Sequence, residues 1–116
     1  MRDTLERLTA YLPKFESEPA TIETGDWWPT YSDYVEDFFK LVGREFDDKE
    51  YAHNDLDELR AHLANDKYIA QASLEECRTF LTFIMRGERF CDGFWRKCIE
   101  EGRVKGVLGR LIILNR

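Results

Sequence analysis

The stretch Ser73-Leu74-Glu75-Glu76, followed by Cys77, Phe80, Leu81, Ile84 and Met85, constrains the fold more than any other part of the chain. Serine at an N-cap and glutamate three residues on satisfy each other's orphan backbone donors, and so start a helix. The apolar residues then recur at helical spacing, so one face of that helix has to be buried. A buried stripe needs partners, and the rest of the sequence supplies them as further helices. Asp3-Thr4-Leu5-Glu6 has the same cap-and-acid form; Leu5, Leu8 and Leu12 follow in register, and Pro13 reads as the end of that run. Tyr31, Tyr34, Val35, Phe38, Phe39 and Val42 make a broad apolar face ending near Gly43. Asp55-Leu56-Asp57-Glu58 opens another helix that points Leu56, Leu59 and Leu63 inward, and Tyr68, Ile69 and Ala72 add a short turn.

Beyond Met85, Gly87 reads as a C-terminal signal and Asp92 as the N-cap of a helix carrying Phe94, Trp95, Cys98 and Ile99. Gly102 stops that helix, and a last one presents Val104, Val107, Leu108, Leu111 and Ile112. The segment KFESEPATIETGDWWPTY is punctuated by Pro19, Gly25 and Pro29. Its alternating Ala20 to Thr24 suit a short strand, with Trp27 and Trp28 folding back onto the helices. EFDDKEYAHND reads as a polar loop. The expected architecture is mostly α, a compact single-domain bundle of about five helices over residues 1–116, with at most a short β segment near residues 20–28.

A chain of 116 residues with 43% hydrophobic and 14% aromatic content can bury about two-thirds of its unfolded surface without staples. Its apolar runs are far shorter than a membrane span, and the acid-bearing MRDTLERLTAYL is neither a signal nor a transit peptide. Three cysteines without an export signal suit the reducing cytoplasm. The net charge of −6 divides into −11 for residues 1–76 and +5 for residues 77–116. Such asymmetry suits two halves that attract each other, and an acidic whole disfavours general nucleic-acid binding through the basic C-terminal half.

Motifs for chemistry are scarce. Cys77, Cys91 and Cys98 form no C-x-x-C pair, and His53 and His62 have no ligand partner at short spacing, so no metal is expected. No glycine-rich phosphate loop, nucleophile elbow or H-E-x-x-H is present, no spacing selects a carboxylate pair, and no cofactor is expected. Cys77 and Cys98 lie on apolar helix faces as small hydrophobes. Cys91 stands apart: a helix start and Arg89 beside it would favour a thiolate, although neither histidine can be placed next to it. Arg78, Thr82, Arg86 and Arg89 share one helix face, a solvated line that local acids can pair or that an anion can occupy. VKGVLGRLIILNR is too apolar for a DNA recognition helix. Gly102, Gly106 and Gly109 instead suit close approach of a neighbouring helix or of a second copy, leaving a homodimer open.

LTAYLPKFE, YSDYVEDFFKLV, LTFIMRGERFCDGFW and EEGRVKGVLGRL together resemble a family of small prokaryotic proteins known only as a domain of unknown function. The most specific part is an R-x-x-R-F-C-x-G core followed by a glycine-marked turn and a leucine-rich terminal helix. The matching positions are Arg86, Arg89, Phe90, Cys91, Gly93, Gly102 and Leu111. The resemblance implies a small stand-alone helical domain and brings no activity with it.

The residues therefore point to a non-enzymatic interaction or anion-binding domain working through the corner RGERFCDGFWRKC. Arg86 and Arg89 would receive a carboxylate or other anion on a small molecule or protein partner. Trp95 would supply a wall, Asp92 fix the corner, and Cys91 and Arg96 complete the candidate set. Replacing both Arg86 and Arg89 should then leave stability nearly unchanged. The alternative is a small enzyme or redox sensor that uses Cys91.

Overall fold

The computed structural model describes residues 2–23 and 30–116. The expected docking of Trp27 and Trp28 lies outside them. The helices are α1 (Arg2–Thr9), α2 (Leu12–Ser17), α3 (Asp33–Glu45), α4 (Leu56–Leu63), α5 (Asp66–Ile69), α6 (Leu74–Phe90), α7 (Phe94–Glu100) and α8 (Arg103–Leu114). A 3-10 turn spans Tyr51–His53. Strand β1 (Thr21–Ile22) pairs antiparallel with β2 (Thr30–Tyr31), Thr21 opposite Tyr31. The chain is mostly helical with one very small sheet, as the periodicity requires.

Helix α8 is the hub, packing against α1, α2, α5, α6 and α7. Its Val104, Val107, Leu108 and Leu111 are fully buried. They meet Leu8 of α1, Val35, Phe38 and Val42 of α3, and Phe80, Leu81 and Ile84 of α6 in one continuous core. Each such side chain contributes about 1.5–3 kcal/mol on burial, which holds several individually marginal helices in place. Phe38 sits among Tyr11, Phe15 and Phe39 with edge-on ring contacts near 5 Å.

Local signals succeed where both partners are close in sequence. The Ser73 hydroxyl accepts from Glu76 N–H at 3.1 Å while the Glu76 carboxylate accepts from Ser73 N–H at 3.0 Å. Asp55 caps α4 by accepting from the N–H groups of Asp57 and Glu58.

Several expectations need correction. Asp3 lies inside the first turn of α1, not before it, and pairs with Arg7 at 3.3 Å. Pro13 does not end a helix; it stands in the first turn of α2, where its missing N–H costs nothing. Leu56 points outward and is 47% exposed, whereas Leu59 and Leu63 are buried. Gly87 does not stop α6, which runs on to Phe90. Asp92 does not cap α7: Gly93 holds the N-cap position in the left-handed region at φ 87°. Gly102, also left-handed at φ 77°, makes the turn from α7 to α8.

Candidate functional site

The corner between α6 and α7 is built by Glu88. A carboxylate in the last turn of a helix opposes the helix dipole and needs local compensation. Here Glu88 Oε2 accepts from Gly93 N–H at 3.1 Å and Oε1 from Trp95 N–H at 2.9 Å. It thereby satisfies two donors at the start of α7. The Tyr31 hydroxyl donates to Glu88 Oε1 at 2.9 Å and accepts from Arg96 N–H at 3.1 Å. Burial, with the Glu88 carboxylate adding to it, raises the Tyr31 phenol above its ordinary pKa and keeps it a donor. The residues that fix the corner are thus Glu88 and Tyr31, not Asp92.

Trp95 is committed to the same scaffold. Its indole stacks on Phe39 with ring centroids 4.3 Å apart, tilts against Tyr31 at 5.2 Å, and donates Nε1–H to the Met85 carbonyl at 3.2 Å. Beside it, Phe94 crosses the bare Cα of Gly87. A Cβ on Gly87 would come within 2.3 Å of the Phe94 ring, which is why α6 carries glycine in its interior. Phe94 then meets Phe83 edge to face at 5.6 Å.

Arg89 is exposed, but the rest of the arginine line of α6 is not a solvated face. Thr82 is fully buried; its hydroxyl accepts from Asp48 N–H at 2.9 Å and donates to the Arg78 carbonyl at 2.9 Å. The Thr79 hydroxyl donates to Asp48 Oδ2 at 2.6 Å. Arg78 lies 4.8 Å over the Phe46 ring and Arg86 4.7 Å over Tyr51, with Arg86 also 3.3 Å from Asp47. The line clamps the segment from Phe46 to Tyr51 onto α6.

That clamp leaves an open cleft of about 1020 Å³ between the 47–60 segment and the α6–α7 corner. Tyr51, Leu56, Phe83, Met85, Phe90 and Phe94 are among the residues that line it. Among the described residues, Arg60, Arg86, Arg89 and Lys97 surround it against a single acid, Asp47. Phe90 is 85% exposed, so its ring is open to whatever enters the cleft. Of the residues singled out from the sequence, Arg86, Arg89 and Cys91 meet in this cleft. Trp95 and Arg89 line a separate shallow depression with Phe39 and Glu88. Asp92 and Arg96 are exposed, and Arg96 Nε donates to Glu100 at 2.9 Å on its own helix.

The three thiols differ. Burial pushes Cys77 up to about 12 and Cys98 up to about 11, so both stay protonated, whereas Cys91 is exposed. His53 and His62 line a different depression with Tyr68, Glu75 and Glu76, where His62 stacks on Tyr68 at 3.8 Å. Among the described residues no group of three or more His, Cys, Asp or Glu is arranged to hold a metal ion. No helix among them is long and apolar enough to cross a membrane.

The model of a family of unknown function, DUF6508, matches residues 1–115 of the chain. The chain belongs to this DUF6508 family. No curated protein and no solved structure matches it.

Proposed function

We propose that this DUF6508 chain is a non-enzymatic binding domain, working in the cytoplasm, whose cleft takes a partner with an apolar body and negative charge. One observation carries the reading: among the described residues four cations ring an aromatic-lined cleft that holds one acid, and that acid is already matched by Arg86. Clefts of this size with an apolar lining and a few charged groups are what amphipathic ligands occupy. Arg89 and Lys97 make no ion pair with a described residue, so their charge is available to an incoming anion. Arg86 works differently, holding Asp47 and Tyr51 in place and so shaping one wall. The cysteine-based alternative has less behind it, because the two histidines that would serve Cys91 as a base line another depression.

The test is a fluorescence titration with anilinonaphthalene sulfonate, an aromatic body bearing one negative charge, beside the neutral dye Nile red. Saturable binding of the sulfonate should weaken with added salt, and about tenfold in an Arg89→Ala, Lys97→Ala variant whose melting temperature is unchanged. Equal affinity in the variant, or no saturable binding at all, would reject the reading.

A further inference from the structure

We infer that the occupant of the cleft is an amphipathic acidic helix of a partner protein, an inference that rests on the anionic apolar reading above. The shape and the distribution of charge favour a helix over a small molecule. At about 1020 Å³ the cleft stands at the upper limit of ordinary small-molecule sites. Its exposed apolar residues lie on both walls: Leu56 at 47% exposure on the 47–60 side, and Phe90 at 85% on the α6 side. A small ligand held deep in a pocket leaves such positions uncovered, whereas a helix laid along the groove covers both.

Charge follows the same two walls. Arg60 stands on the Leu56 side, and Arg89 and Lys97 stand on the Phe90 side. Arg60 meets Asp57 only at 3.5 Å, in a pair whose members are largely exposed, so a partner can recruit it. A helix with an apolar stripe at i, i+3, i+4 and i+7, and glutamates on both flanks, matches apolar floor and basic rims together. Aromatic residues and arginine at the centre of a groove are the usual anchors of such contacts. The exposed Phe90 ring, which lines the same cleft as Phe94 and Phe83, is the candidate for that role.

The experiment measures fluorescence anisotropy of a labelled synthetic peptide about four helical turns long, with leucines on one face and glutamates on both flanks. One control has the same residues with the leucines scattered around the helix; a second has lysine in place of glutamate. The first peptide should bind, displace anilinonaphthalene sulfonate, and exceed both controls by about tenfold or more. Arg89→Glu with Lys97→Glu should weaken it by at least as much. Phe90→Ala, which removes an exposed ring and leaves the fold alone, should weaken it too. If the sulfonate binds but the acidic peptide neither binds nor displaces it, the helix inference falls and the anionic-ligand reading stands. If neither binds, both fall.

Discussion

Tyr31 and Glu88, from β2 and the last turn of α6, meet through a 2.9 Å hydrogen bond and together present acceptors to three backbone N–H groups at the start of α7. Helix starts usually draw their cap from the residue just before them. Here the cap comes from the preceding helix and from a strand far back in the chain. The α6–α7 corner, and with it the wall of the cleft, therefore depends on the N-terminal half being folded onto it.

Removing either partner should loosen α7. Glu88→Ala should cost about 2 kcal/mol and Tyr31→Phe about 1 kcal/mol, measured by urea unfolding. Because the two groups share one network, the double substitution should cost less than the sum. Strict additivity would mean that they act separately.

Gly87→Ala offers a change of sign. In the native chain the added methyl meets the Phe94 ring and should destabilise by about 1–3 kcal/mol. With Phe94→Ala in the background the obstruction is gone, and alanine's helix propensity should make the same change neutral or stabilising by about 1 kcal/mol. Thermal melts of the four combinations decide this.

Thiol titration reads the burial pattern. At about pH 8 the exposed Cys91 should react quickly with a disulfide reagent, while the buried Cys77 and Cys98 react only after denaturant is added. Rapid reaction of all three in the native protein would contradict the core as described.

Acid should weaken the fold through two carboxylates. The Arg7 guanidinium hydrogen-bonded to Glu45, with the Thr4 hydroxyl also donating to it, holds Glu45 below its ordinary 4.5. The Tyr68 hydroxyl and the Ser73 backbone do the same for Glu76. A carboxyl depressed in the folded state stabilises above its unfolded pKa and loses that contribution as pH falls through the native value. Urea midpoints should therefore be steady near neutrality and drop as pH goes below 4.5. Glu76→Gln should lower the midpoint at neutral pH and flatten the acid decline.

What could be read from the sequence follows from distance along the chain. The Ser73 box and the Asp55 cap are local, and the apolar stripes of α3, α6 and α8 follow from periodicity, so these were legible. Pro13 and Gly87 misled because each residue has two uses. Proline suits a first turn as well as a stop, and glycine admits a crossing ring as well as a terminus. Asp92 looked like a cap because the actual acceptor, Glu88, lies within the previous helix. An acid in the final turn of a helix was the available signal, since the dipole disfavours it there. The cleft itself was half legible. The sequence marks Arg86, Arg89 and Cys91, but Tyr51, Leu56 and Arg60 join them only through the fold.

The most direct measurement of the central claim is a map of amide chemical-shift changes on adding anilinonaphthalene sulfonate to isotope-labelled protein. The changes should cluster at Tyr51, Leu56, Phe83, Arg89, Phe90, Phe94 and Lys97, around the cleft. A second basic groove between α1, α2 and α3, lined by Arg7, Lys14, Lys40 and Arg44, provides the contrast. Changes confined to that groove, with the cleft unperturbed, would contradict the account.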